Sequence, residues 1–172
     1  MVLEAILKRR SIRKFLKKEV EEEKLREILK AAMYSPSAMH LRPWEFVIVK
    51  NKEIKNKISE ATPYCKFAKD APIILIIGAI INDFVKHWVE DCSIVAENIY
   101  LEATNQGLGT CFCQIFGHKR FGEDSEEYIR KIIGAPKNFR ILCIMPIGYP
   151  AEEKEPHSEK EFDENKIHYD KW

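Results

Sequence analysis

The sequence predicts a layered fold in which helices cover both faces of a central β-sheet. Three observations lead there. The run APIILIIGAII from Ala71 is continuously apolar, the pattern of a strand buried on two faces. FRILCIMPIGYP from Phe139 repeats that character as a second central strand. The segments around these runs carry apolar residues at helical spacing. A chain of 172 residues with 45% hydrophobic content suits one domain, residues 1–172, better than two.

The elements follow in order. Leu3, Ile6 and Leu7 form one stripe, so residues 2–9 read as a short helix running into a basic cluster. Residues 21–34 read as a second helix, with acids in its first turn and Leu25, Ile28, Leu29, Ala32 and Met33 on one face. A proline-stiffened loop, SPSAMHLRP, delivers Trp44 into the strand WEFVIVKN. A modest helix over 53–61 precedes the apolar run. The longest helix is expected over 84–105, with Trp88, Cys92, Val95, Ala96, Ile99 and Ala103 along one face and Gly107 as its stop. GLGTCFCQIF is a turn followed by extended chain, and residues 126–133 form a last helix ended by Gly134 and Pro136. The tail after Pro150 has no amphipathic period, yet it keeps Phe162, Ile167, Tyr169 and Trp172 as apolar anchors.

Charge and cysteine content remove several function classes. Lys plus Arg number 28 against 27 for Asp plus Glu, a net charge of +1, so the molecule has no overall bias toward nucleic acid or anionic membrane. No signal peptide or membrane span is read in it, and the expected location is cytoplasmic. The five cysteines contain no CxxC pair, so neither a disulfide framework nor a zinc ribbon is indicated, and packing is their expected role. His87 and Asp91 stand one helical turn apart, but no third ligand is identifiable, and the two are read as an exposed polar pair with no metal.

KRRSIRKF, from Lys8, is the sharpest local feature. It is either a solvated face balanced by Glu19 and Glu21 to Glu23, or a phosphate clamp built from guanidinium forks and the Ser11 hydroxyl. Neither GxxxxGK[ST] nor GxGxxG is present, so any bound phosphate must be held by side chains. His118, Lys119 and Arg120 form a second basic patch, left unassigned.

RRSIRKF, then PSAMHLRPWEFVIV, then GLGTCFCQIF after a long helix, closed by GYP and an anchored tail, together resemble the FMN-dependent nitroreductase family over nearly the whole chain. The resemblance implies an α+β fold, a three-layer α/β/α arrangement with a central mixed, mainly antiparallel sheet. It further implies an obligate homodimer with FMN at the subunit interface and an extended C-terminal tail, residues 151–172, that wraps the partner. Arg9, Arg10, Ser11 and Arg13 would hold the FMN phosphate, ribityl chain and pyrimidine end. Pro36, Ser37, Ala38, Met39 and His40 would reach FMN from the other subunit. Gln114 and Ile115 would offer backbone donors near the reactive ring nitrogen, and Lys160 would approach the phosphate. No catalytic acid or base is expected, because a flavin carries the hydride itself.

The activity so implied is an NAD(P)H oxidoreductase that reduces nitroaromatics, quinones or similar small acceptors by ping-pong transfer, with NADH or NADPH as reductant. Alternatives are a flavin-binding carrier dimer without catalysis and a same-fold enzyme of reductive dehalogenation or flavin breakdown. A nucleic-acid or anion-binding module is the weakest reading, given the neutral net charge. The chain departs from the family where it has His40 and Arg42 in place of Asn and Gln, Phe112 in place of Trp, Gln114 in place of Gly, and Glu159 in place of a basic residue.

Overall fold

Alternation of buried side chains along two long strands sets the architecture. In this computed structural model, which describes residues 2–172, the strands are β1 (Trp44–Val49), β2 (Ile73–Ile80), β3 (Gly109–Thr110), β4 (Cys113–Gln114), β5 (Lys119–Arg120), β6 (Glu123–Asp124) and β7 (Phe139–Gly148). The helices are α1 (Glu4–Lys8), α2 (Glu22–Met33), α3 (Lys52–Ile58), α4 (Trp88–Asn105) and α5 (Ser125–Ile133). A five-stranded sheet runs β1-β2-β7-β3, with β4 also pairing to β7.

Ile73, Leu75, Ile77 and Ala79 of β2 pack toward α2 and α4, while Ile74 and Ile76 pack with Ile58 of α3 and Ile129 of α5. Two apolar clusters therefore sandwich the sheet, giving the three expected layers, and the reading of APIILIIGAII as a strand buried on both faces holds. Every strand pair of this sheet is antiparallel. The parallel component expected of a mixed sheet is reduced to one bridge, Ser11 to Thr110.

The register shifts at Ile77/Gly78, and a Cβ on Gly78 would stand 2.1 Å from the Arg140 carbonyl oxygen. Only glycine fits there. Helix α5 starts with the Asp124 side chain accepting from the Glu127 N–H and ends at Gly134 in the left-handed region, φ 68°.

The structure departs from the sequence reading, or adds to it, at three places. The stripe on α1 is not buried, since Leu3 and Ile6 remain exposed on a five-residue helix. Helix α4 begins at Trp88 rather than at residue 84. The patch containing Lys119 and Arg120 folds as a hairpin, β5 to β6, that no apolar alternation announces.

One ion pair locks the end of the sheet to α5. Glu126 is buried and accepts from Arg140 Nε and Nη2 at 2.9 and 2.8 Å and from the Ile141 N–H at 2.9 Å. The Arg140 guanidinium also lies over Trp88 and Phe116. Glu126→Ala leaves that guanidinium without its partner and should cost roughly 3 kcal/mol in urea denaturation; a change under about 1 kcal/mol would show the pair to be dispensable.

Candidate functional site

Helix α4 gathers the segments that the sequence singles out. Near its C-terminal half the Tyr100 hydroxyl lies 2.9 Å from Ser11 Oγ and accepts from the Phe112 N–H at 3.0 Å. Tyr100 is buried, and burial pushes its phenol pKa up, so the hydroxyl stays a neutral bridge. The Ile12 N–H donates to the Thr110 carbonyl at 2.9 Å. The basic segment and the GLGTCFCQIF segment are thereby fixed side by side.

Extended backbone from Arg9 onward divides the cations between two directions. The Arg9 guanidinium lies 4.9 Å from the Tyr100 ring centroid, 3.1 Å from His157 Nε2 and 4.0 Å from a Glu97 oxygen. The Arg13 guanidinium lies 5.9 Å from the Phe67 ring and pairs with no carboxylate among the described residues. Arg10 turns away and donates to the Glu155 carbonyl; with Lys8, Ile12 and Lys154 it lines a separate open cavity of about 420 Å³.

The tail supplies the other surprise. Ala151 N–H donates to the Lys14 carbonyl, His157 N–H to the Leu7 carbonyl, and Lys154 Nζ to the Ser11 carbonyl. Glu152 accepts from the N–H groups of Arg13 and Lys14 at 2.5 and 3.1 Å. These contacts, together with Glu97, replace the balance expected from Glu19 and Glu21 to Glu23, whose carboxylates do not pair with residues 8–14 among the described contacts. Lys160 sits on an exposed turn three residues past His157.

Gln114 and Ile115 differ in what they offer. Ile115 is fully buried and its N–H donates to the Leu142 carbonyl at 2.9 Å, whereas Gln114 is exposed and its side chain donates to the Phe116 carbonyl at 3.0 Å. Three buried thiols follow: Cys111 and Cys113 flank Phe112, and Cys65 Sγ lies 3.0 Å from Thr62 Oγ1. The neighbouring Cys113 thiol, with help from the Arg13 charge, brings the Cys111 thiol down to about 6, while Cys113 is pushed up. All five cysteines are buried, consistent with the packing role expected of them.

The loop containing Pro36 to His40 is held at the opposite end of α4. Met39, His40 and Arg42 have positive φ values of 54°, 55° and 48°, which is strained for non-glycine residues. Several bonds hold this shape. The Arg42 N–H donates to Ser37 Oγ, the Arg42 guanidinium to the Met33 carbonyl, and Asn98 Nδ2 to Ser35 Oγ. Asp91 Oδ1 accepts from the Ala38 N–H at 2.9 Å. Asp91 is only 4% exposed, so its expected role as half of an exposed polar pair is wrong; only His87 faces solvent. Spacing on α4 put the carboxylate on the correct helix, but the amide it caps is 53 residues away.

Asp91→Ala should leave the Ala38 N–H unpaired, cost about 1–3 kcal/mol and raise the exchange rate of that amide, with Asp91→Asn retaining most of the protection; an unchanged exchange rate would remove Asp91 from the loop's support. Glu152 has its own pH signature. Its pKa is lowered, first by the Arg13 N–H, so its stabilisation is complete above the ordinary value of 4.5 and is lost as pH falls through the lower folded value. Melting curves taken downward from about pH 6 should show this loss in the parent and a flatter profile in Glu152→Gln; parallel profiles would count against the contact.

Comparison with known proteins gives the family. The nitroreductase family pattern matches residues 6–63 and 59–149. A Methanothermobacter thermautotrophicus protein called "Putative NADH dehydrogenase/NAD(P)H nitroreductase" is 42% identical over 173 residues, covering 99% of this chain and 87% of that protein. The structure of an FMN-dependent nitroreductase from Clostridium difficile R20291 superposes with a TM-score of 0.92 at 37% identity, covering 98% of each chain. Human iodotyrosine deiodinase 1 is more distant, 26% identical over 184 residues, with 87% of this chain and 61% of that protein covered. On the match of its sequence and of its antiparallel, helix-covered sheet, the chain belongs to the nitroreductase family.

Proposed function

We propose that this protein is an FMN-dependent NAD(P)H oxidoreductase that acts as a homodimer on nitroaromatic, quinone or similar small acceptors. The observation that carries the reading is the Tyr100 hydroxyl, which fastens the Arg9-Ser11-Arg13 segment beside the segment containing Gln114. The donor set suits a phosphorylated flavin. Among the described residues Arg13 brings an unpaired guanidinium, Ser11 a hydroxyl, and Thr110 Oγ1 is a buried polar atom without a partner next to the Ser11 bridge. Bound FMN supplies the two-electron carrier, and the protein's part is to bind, orient and shield it.

In this reading Arg9, Ser11, Arg13 and Lys160 hold the phosphate-bearing and pyrimidine parts, while Arg10 acts indirectly by pinning the tail. Gln114 presents the polar edge near the reacting ring. Reductant and acceptor then use one cleft in turn, which gives ping-pong kinetics.

The dimer has a geometric motive. Asp91, which anchors the Pro36 to His40 loop, and Tyr100, which anchors Ser11, stand nine positions apart on α4, about 13 Å along its axis. A loop held that far from Ser11 reaches a shared flavin most simply from a second subunit. Leu3, Ile6, Tyr34, Met39, Phe162, Ile167, Tyr169 and Trp172 are exposed apolar side chains that such a subunit would cover.

The test is a visible spectrum of the purified protein before and after anaerobic NADH or NADPH, with the released cofactor identified and the mass in solution measured. Released FMN that bleaches on the protein is expected from a dimer, and Arg13→Ala should weaken FMN binding by about 1.5–3 kcal/mol. A colourless protein that takes up no added FMN defeats the proposal. Flavin retained without reduction by either dinucleotide points instead to a carrier. The deiodinase relative supports one second reading, reductive dehalogenation, which turnover of iodotyrosine in place of nitroaromatics would select.

A further inference from the structure

The second basic patch, which the flavin site does not use, closes around a cavity. Lys66, on the 3-10 turn Pro63–Asp70, and Lys119 and Arg120 of β5 line a pocket of about 340 Å³ together with Glu60, Thr62, Pro63 and Phe121. Lys66 and Lys119 form no ion pair among the described residues. Arg120 Nε donates to the Glu60 carbonyl, and its guanidinium lies 4.3 Å from the Tyr128 ring centroid, which fixes the fork while leaving its terminal nitrogens without a carboxylate among the described residues.

The acids nearby are mostly committed elsewhere. Asp124 faces Lys119 across the hairpin but caps α5, and Glu123 pairs with Lys131. Glu60 is the one carboxylate in the lining, so the pocket keeps an excess of positive charge.

Aromatic side chains stand at its edge. Phe121 is 94% exposed, in a left-handed conformation with φ 47° at the hairpin tip, and Tyr64 is exposed with its ring 6.1 Å from that of His118. A flat ring presented to solvent beside unpaired cations is what a nucleotide recognises: stacking for the base, charge for the phosphates.

Location narrows the choice of nucleotide. Lys66 is followed by Phe67, over which Arg13 lies, and Lys119 comes five residues after Gln114. Tyr64 and His118 join the two segments, so the pocket is tied to the same two stretches of chain that carry Phe67 under Arg13 and Gln114. We infer that this pocket takes the adenosine end of the nicotinamide dinucleotide, with Lys66, Lys119 and Arg120 on its phosphates and an exposed aromatic ring on its adenine. The inference rests on the flavin reading, because that reading is what requires a dinucleotide to approach here.

The test uses the flavin-loaded protein and ADP-ribose, which carries the adenosine and pyrophosphate of the dinucleotide but cannot be oxidised. Calorimetric titration should show binding that weakens with added salt, that adenosine alone does not reproduce, and that falls about tenfold or more in the Lys66→Gln, Lys119→Gln double variant. The KM for the dinucleotide should rise in parallel, while FMN content and bleaching by dithionite stay as in the parent and serve as the folding control. Equal affinity of parent and double variant for ADP-ribose, binding of adenosine as tight as that of ADP-ribose, or an unchanged KM would each overturn the assignment. A protein that takes up no FMN defeats the flavin reading separately, and the ADP-ribose titration of that protein still decides whether the pocket binds a nucleotide.

Discussion

The structure depends on helix α4 lying across the sheet with three polar groups aimed at three different segments. Tyr100 reaches Ser11 and Phe112, Asn98 reaches Ser35, and Asp91 reaches Ala38. The stripe of the same helix that these groups flank, with Cys92, Val95, Ala96, Ile99 and Ala103, is buried in the core. Apolar burial fixes where the helix sits, and a fixed helix gives each polar group a defined position. Mostly buried, these groups would be costly to leave unpaired, so each also enforces the path of the segment it meets.

That arrangement explains how a site is assembled from segments with little regular structure. Residues 9–15 form neither helix nor strand apart from bridges at Ser11 and Phe15, yet they are held on one side by α4 and β3 and on the other by the tail from Pro150 to His157. The loop around Met39 and His40 is strained, and strain persists only where surrounding bonds impose it. The chemistry proposed for the family needs a binding surface with few moving parts. Most of the ordering cost of that surface is met within the fold before any ligand arrives.

The basic cluster shows how proximity in sequence misleads about charge. Lys8, Arg9, Arg10 and Arg13 lie close together, with Glu4 on one side of them in sequence and the acids at 19 and 21–23 on the other. Glu4 pairs with Lys8, but Glu21 and Glu22 pair instead with Lys18, Tyr149 and Lys50. Groups from the far end of the chain, Glu152, the Glu155 carbonyl and His157, occupy the cluster's surroundings. Arg13 is left with its guanidinium over Phe67 and no acid partner among the described residues.

The sequence by itself determined the layers. Unbroken apolar runs at β2 and β7 demanded cover on both faces, and helical spacing in α2, α4 and α5 supplied it, because burial of apolar area is a property of residue type and period. The order of RRSIRKF, PSAMH and GLGT also carried the resemblance to the family. Tertiary structure alone decided that Asp91 is buried beneath the Ala38 amide, that the tail straps the basic segment, that Arg10 turns away from Arg9 and Arg13, and that Lys66 meets Lys119 and Arg120 around one pocket. Each of these joins residues distant in the chain through one or two directional contacts, and such contacts leave no period or composition for a sequence to show.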